Sequence, residues 1–235
     1  MDRESQHVRE FSRRADSYDA HTDVQKQVAS YLLQKIDFHP KKILDLGCGT
    51  GEIYRNVAWE LDAFVAVDNS SQMLQRHPKD KCVKLICEDF DSQVLHNMVK
   101  SEDIFDLVVS SSALQWSKNI EEIVKLCTNV CKYGAFAIFT EGTFEQVRRC
   151  ANLNTFLPSS NFLIEVFKKY FTFTYEVKTF RLPFDDTIIA FRYMKKSGVS
   201  GGTKRLSVSQ MRALIRDYPL DYLEFEVLFI WGKPL

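Results

Sequence analysis

The sequence predicts an α/β fold, a doubly wound parallel sheet with a helical cap. Three observations predict it. From residue 41 to about residue 140, short apolar runs alternate with stretches of helical spacing, the rhythm of parallel strands joined by crossover helices. The strand-like runs are almost continuously apolar, as strands covered on both faces must be. Between the first run and the next helix, "KKILDLGCGTGEI" places three glycines at alternate positions. Glycine weakens regular structure by roughly 0.5–1 kcal/mol relative to alanine, so three together mark a place where something passes close to the backbone.

Each element follows in order. A helix over "VQKQVASYLLQKI" leads to the buried strand "KKILDL". "GEIYRNVAWEL" has helical spacing, and "AFVAVDNS" reads as a strand ending in an acid. "SSQMLQRH" offers a serine cap and a helical pattern. "VKLICEDF" is a third strand, again ending in acid, and "FDLVVSSSAL" is a fourth. "IEEIVKLCTNVCKYG" repeats its apolar residues at helical spacing, with Gly134 as C-cap. "AFAIFTE" is the fifth strand. Beyond Thr140 the rhythm changes. Helices are expected near 143–151 and 161–170, then a strand "FTFTYEVKTFRL", a helix near 186–196, and a helix "SVSQMRALIRDY" capped by Ser207. The aromatic-rich "LDYLEFEVLFIWGKP" is a further strand. The last two strands are expected at the sheet edge, with the intervening helices forming a cap over the carboxyl ends of the strands.

Composition narrows the function classes. The chain has 235 residues, 45% apolar and 26% charged, which suits one domain with a full core. No apolar run approaches the ~20 residues that span a bilayer, and the polar opening stretch has no signal-like h-region. The expected location is the cytoplasm, without membrane association. Cys127 and Cys131 lie four apart on one predicted helix, but no His or Cys cluster supplies further ligands. Reduced thiols and no metal are expected. Net charge is zero, which argues against bulk nucleic-acid binding, and no RNA-binding motif is evident. Residues 142–217 nevertheless hold 13 Lys/Arg against 6 Asp/Glu, a local basic surplus.

In an open α/β sheet, ligands bind outside the carboxyl ends of the strands. Gly47, Gly49 and Gly51 stand there after the first strand. The dinucleotide fingerprint is GxGxxG; this chain has GxGxG and no evident hydride-transfer partner, which disfavours a nicotinamide. The "LDLGCGTG" stretch resembles motif I of the class I S-adenosyl-L-methionine methyltransferases. That resemblance implies a Rossmann-like class I methyltransferase sheet. It also implies a cofactor site built from Asp45, Gly47, Cys48, Gly49 and Gly51, joined by Asp68, Asn69 and Met73 after the second strand. Asp68 would accept the ribose hydroxyls. Asp89 would take the adenine amino group, Phe90 would offer its backbone N–H, and Ser110 would meet the methionine part. The plain alternative is that Asp68 and Asp89 are solvated residues at strand ends.

A more specific resemblance covers most of the chain. "FSRRADSYDAHTDVQKQVASYLL", "ALQW", "TFLPSSNF" and "AFRYMKKSGVSGG" followed by "RLSVSQMRAL" are similar to the opening, the Q-W, the F-L-P and the R-x-L-K-x-x-G elements of the malonyl-[acyl-carrier protein] O-methyltransferases of biotin synthesis. Met194 departs from the usual Leu, Cys48 and Thr50 occupy variable positions, and the basic loop at Lys204 and Arg205 is short. The resemblance implies one methyltransferase domain over 1–235. Residues 1–40 would be lid helices, 41–141 the cofactor-binding core, 142–217 cap helices and an edge strand, and 218–235 a final edge strand.

Such a reaction needs little acid–base chemistry. A carboxylate is already ionised at pH 7, so the protein must desolvate and align the reactants, which is worth ~7–11 kcal/mol. The resemblance makes Tyr18 a lid residue that also closes on the cofactor. Trp116 would wall the chamber, Gln115 would donate to the malonyl group, and Arg192 would hold its carboxylate. Plain alternatives stand beside these: packing for Tyr18 and Trp116, a surface charge for Arg192. Arg148, Arg149, Lys195, Lys196, Lys204 and Arg205 are candidates to dock an acidic acyl-carrier protein, or simply solvate the cap. Two other functions remain open: methylation of another small acid (aconitate-type), and cofactor binding without catalysis.

Overall fold

The computed structural model describes residues 22–197, 199 and 206–235. The Tyr18 segment and the Lys204 and Arg205 loop lie outside the described residues. Helix α1 (Asp23–Leu33) precedes β1 (Lys42–Leu46), α2 (Glu52–Asn56), β2 (Ala63–Asp68), α3 (Ser71–Arg76), β3 (Val83–Cys87), α4 (Gln93–Lys100) and β4 (Leu107–Ser111). A short 3-10 turn (Leu114–Trp116) then leads to α5 (Ile120–Val130), β5 (Gly134–Phe139), α6 (Glu145–Ala151), α7 (Ser160–Lys168), β6 (Phe171–Pro183), α8 (Thr187–Lys196), α9 (Val208–Asp217) and β7 (Tyr222–Pro234). One sheet of seven strands runs β3-β2-β1-β4-β5-β7-β6. The first five strands are parallel, and β7 is antiparallel to both its neighbours. The predicted doubly wound α/β sheet is the one observed.

Strand alternation explains the double winding, because successive side chains point to opposite faces. Ile43, Leu107, Val109, Ala135, Ala137 and Phe139 join a core with α1, α8 and α9. Leu44, Leu46, Val108, Phe136 and Ile138 join the other, with α4, α5 and α7. Caps fix the helix starts: the hydroxyls of Ser70, Ser92 and Ser159 accept the N–H groups of Met73, Leu95 and Phe162. Ser207 and Gln210 form the reciprocal capping box of α9, and such caps are worth about 1 kcal/mol each.

Five details correct the sequence reading. The strand β7 is not an edge strand. It lies between β5 and β6, so Val227, Leu228, Phe229 and Ile230 are wholly buried. Helix α2 has only five residues: Trp59 leaves it, stacking on His39 and donating its indole N–H to the Pro40 carbonyl at 2.8 Å. Gly134 begins β5 rather than capping α5, because the rings of Phe136 and Phe171 fill the space a Cβ would need. Helix α4 was not expected. Helix α7 covers one sheet face through Leu163 and Phe167 instead of joining the cap.

The cap rests on an overhang. Pairing of β6 with β7 continues to Pro183 and Tyr222, past the last β5 pair of Phe139 with Val227. The residues Phe191 and Tyr193 of α8, Leu214 of α9 and Tyr218 pack with Leu223 and Phe225 of that extension. Cys127 of α5 and Cys131 at its end are core residues, and burial raises both thiols. Among the described residues, no helix is long and apolar enough to cross a membrane.

Candidate active-site cleft

A cavity of about 250 Å³ opens at the carboxyl ends of β1 to β4, with α1 along one side. The β1–α2 turn forms its floor, and its three glycines are required for different reasons. All have left-handed backbones, with φ of 77° at Gly47, 54° at Gly49 and 92° at Gly51. A Cβ on Gly47 would fall 2.2 Å from that of Ala113. One on Gly51 would meet His77 and Pro78 at 2.7 Å. At Gly49 nothing lies within 4 Å, so that peptide borders open space.

Carboxylates dominate the lining: among the described residues, Asp45, Glu52, Asp68, Asp89 and Asp91 face only Lys26 and Lys118 as charges of opposite sign. Asp68 accepts the Gly49 N–H on Oδ2 at 2.9 Å and the Ser70 N–H on Oδ1 at 2.8 Å. Each oxygen keeps a further lone pair, the arrangement two vicinal hydroxyls would use. Burial raises its pKa, and the Ser70 and Gly49 N–H groups pull the other way. Asp89 accepts the Asp91 N–H at 2.9 Å, and its other oxygen lies 3.4 Å from Lys118 Nζ. Asp91 ties the loop after β4 to β3 by accepting from Ser117 Oγ at 2.6 Å and the Lys118 N–H at 2.9 Å.

Asp45 is the most demanding group. It is 1% exposed, and neither carboxylate oxygen has a hydrogen-bond partner among the described residues. Burial, reinforced by the field of Asp68, pushes it well above the usual carboxylate range. A buried charge without a partner is costly, so an ionised Asp45 would need a cationic group beside it. A ligand with a cationic centre and a diol fits Asp45 and Asp68 together. Cys48 beside them is a neutral thiol, held so by burial.

The structure gathers most residues named from the sequence. Asp45, Gly47, Cys48 and Gly49 line the cleft, as do Asp68, Asn69 and Met73 on the second turn, and Asp89, Phe90 and Trp116 beyond. Gly51 sits behind the wall against His77. Ser110 is a correction. Its hydroxyl is buried and donates to the Leu46 carbonyl at 2.6 Å, so Ser111 and Ser112 reach the cleft instead. Gln115 is another. Its Nε2 donates to the Ser112 carbonyl at 2.6 Å, and it does not line the cleft. Arg192 is exposed between buried Phe191 and Tyr193 on α8, away from the cleft lining. Arg148 is half-buried and donates to the carbonyls of Thr143 and Glu141, closing its own turn. Arg149, Lys195 and Lys196 are exposed; Arg149 pairs with Glu145.

Several lining residues were not singled out in advance. Gln25 is buried in α1, lines the cleft and donates Nε2 to the Ser197 carbonyl at 3.2 Å; it lies within the N-terminal stretch on which the family resemblance rests. Ser112, Asp91 and Lys118 had none beyond lying next to strand ends. Outside the turn, Trp116 stacks on Phe156, with ring centroids 5.1 Å apart and planes at 20°.

Residues 44–139 match the family described as methyltransferase domain. A malonyl-[acyl-carrier protein] O-methyltransferase of Priestia megaterium is 30% identical over 152 residues, 60% of this chain and 53% of that protein. One from Neorickettsia risticii is 26% identical over 236 residues, 93% and 92% of the two chains. The chain thus spans about half the length of the first of these relatives. A solved SAM-dependent methyltransferase from Thermotoga maritima superposes with a TM-score of 0.59 at 14% identity, covering 97% of this chain and 99% of that one. The fold is the Rossmann-like class I methyltransferase fold, and the cofactor of the matched domain is S-adenosyl-L-methionine, whose sulfonium, ammonium and ribose diol suit the unpaired Asp45 and the half-used Asp68.

Proposed function

We propose that this chain, with its methyltransferase domain and class I fold, methylates the free carboxylate of a malonyl thioester, carried by acyl-carrier protein or coenzyme A, at an early step of biotin synthesis. The carrying observation is the buried Asp45, without a hydrogen-bond partner among the described residues, in a cleft rich in carboxylates, which favours a cationic methyl donor. The malonyl acceptor rests on the names of the relatives and on the absence of histidine and tyrosine from the described lining. An ionised carboxylate needs no base.

When bound, the donor would supply an electrophilic methyl group on a cationic sulfur, for transfer to an acceptor carboxylate oxygen with the sulfur leaving as a neutral thioether. This chain's residues do the rest. Asp68 receives the ribose hydroxyls, and Asp89 with Phe90 takes the adenine end. Asp45 balances the positive charge. The Trp116–Phe156 stack walls the outer end and keeps water from the reacting pair. Tyr18, outside the described residues, is proposed as a lid residue on the family resemblance alone. Arg192 is reassigned from the chamber to the exposed face of α8, where Ile188, Lys195 and Lys196 are also exposed. That face is proposed to meet an acidic carrier, with Arg149 of α6 and, outside the described residues, Lys204 and Arg205 as further candidates, while Arg148 and Gln115 serve their own loops.

The test is direct. Protein incubated with methyl-labelled donor and either malonyl-CoA or malonyl-acyl-carrier protein is expected to yield a base-labile methyl ester. Failure with both thioesters rejects the proposal. Faster methylation of free malonate would point to a small-acid enzyme instead, and donor binding without any turnover to a non-catalytic role. In a bacterium lacking its own malonyl methyltransferase, the chain is expected to restore growth without biotin. Replacing Lys195 and Lys196 by Glu is expected to lower kcat/KM for the carrier-bound substrate relative to the CoA form.

A further inference from the structure

The loop between β4 and the 3-10 turn holds a polar arrangement that the cofactor does not account for. Ser112 has φ of 61°, a left-handed backbone rare for a residue with a side chain. Its peptide is fixed from both sides. The N–H donates to the Ala137 carbonyl at 2.8 Å, and the carbonyl accepts from Gln115 Nε2 at 2.6 Å. Ala113, the next residue, is pressed against Gly47 of the floor. Ser112 lines the cleft, yet its Oγ is buried and has no hydrogen-bond partner among the described residues. Gln115 Oε1 is buried and unpartnered in the same way.

Strain and an unspent hydroxyl at one residue suggest a role beyond packing. Several other polar groups around the cleft have partners. Gln25 donates to Ser197 and Lys118 pairs with Asp89, while Thr22, Lys26, Thr50 and Trp116 each have a partner. The side chains of Asn69 and Ser111 also line the cleft, but Ser112 joins a buried hydroxyl to a fixed left-handed backbone. A carboxylate acceptor entering a cleft rich in aspartates needs a neutral donor that holds it without quenching its charge.

We infer that Ser112 is the hydroxyl that holds one oxygen of the acceptor carboxylate, leaving the other free to attack, and that Gln115 is a positioning residue that acts through the Ser112 peptide. The inference rests on the carboxylate-methylation reading above. It reassigns the donor role expected of Gln115, whose donor nitrogen is already committed.

Glycine at 112 accepts the left-handed backbone and removes the hydroxymethyl side chain with its donor, so Ser112→Gly tests the hydroxyl without straining the turn. Malonyl-CoA is titrated calorimetrically into protein saturated with S-adenosylhomocysteine, and steady-state kinetics follow. Ser112→Gly is expected to weaken malonyl-CoA binding about tenfold to a hundredfold, the range for a hydrogen bond to a charged group. Binding of S-adenosylhomocysteine should stay within twofold. Ser112→Asn tolerates the same backbone and carries a donor, and it is expected to recover much of the loss. Gln115→Leu should weaken the acceptor but not the cofactor, and add little on top of Ser112→Gly. Acceptor affinity within twofold of the parent in Ser112→Gly would overturn the inference while leaving the methylation reading intact. Parent protein that neither binds nor methylates malonyl-CoA or malonyl-acyl-carrier protein would remove both.

Discussion

Asp68 at the end of β2 accepts the backbone N–H of Gly49, in the turn after β1, at 2.9 Å. The ribose-facing carboxylate and the glycine floor are therefore one unit. Asp68→Ala should remove two charge-assisted hydrogen bonds to the donor and loosen the turn that seats it. Titration calorimetry is expected to show S-adenosylhomocysteine affinity reduced by at least ~100-fold, from about 1.5–3 kcal/mol per bond. A loss of less than about fivefold would exclude Asp68 from the cofactor site.

The glycines of that turn should differ sharply on substitution. At Gly47 an alanine Cβ would lie 2.2 Å from that of Ala113, on a left-handed backbone. At Gly49 only the backbone penalty applies, since the space is open. Urea unfolding is expected to show about 1 kcal/mol lost in Gly49→Ala and at least ~3 kcal/mol in Gly47→Ala, strain plus overpacking. Equal losses would contradict the geometry.

Asp45 opposes folding of the ligand-free protein. Its folded pKa lies above the ordinary carboxylate value of 3.8, so the native state holds a proton that the unfolded chain releases. This contribution is fully favourable below about pH 3.8 and is lost as pH rises through the folded value. Asp45→Asn mimics the neutral form. Ligand-free Asp45→Asn is expected to have a higher Tm than the parent at pH 7.5, yet to bind S-adenosyl-L-methionine more weakly. A lower Tm with unchanged affinity would refute both roles.

His77 gives the opposite pH signature. It is buried beside Gly51, its Nδ1 donates to the Pro78 carbonyl, and Nε2 has no partner among the described residues. Burial lowers its pKa below 6.5, so the unfolded chain takes up a proton first. Stability from neutral His77 is complete above about pH 6.5 and declines as pH falls toward the lowered folded value. Comparing urea midpoints at pH 7.5 and 5.5, His77→Phe should lose less than the parent. Identical losses would show that His77 does not titrate in this window.

The sheet and the cofactor floor were legible in the sequence because both depend on local pattern. Continuous apolar runs set the strands, and left-handed turns demand glycine. Ser70 and Ser207 declared their helices by cap chemistry alone. What stayed hidden depends on distant partners. Ser110 and Ser112 are two apart in one run of serines, and only the Leu46 carbonyl decides that the first turns inward. Trp59 cuts α2 short by reaching Pro40, nineteen positions away. Arg192 is the usual charged residue on an amphipathic helix, and its orientation is set by Phe191 and Tyr193 packing on the cap. The place of β7 is also non-local, since an apolar run of that length suits an edge hairpin or an interior strand equally until its partners are known.

That placement governs how the molecule is assembled during translation. The flank of β5 stays bare while some eighty further residues are synthesised, among them β6, because the strand that joins the two comes later than both. A nascent polypeptide at that stage displays two open hydrogen-bonding borders and the rings of Phe136, Phe139 and Phe173. Such an intermediate is a natural client for chaperones, and ribosome stalling upstream of Tyr222 would leave it sticky rather than merely incomplete.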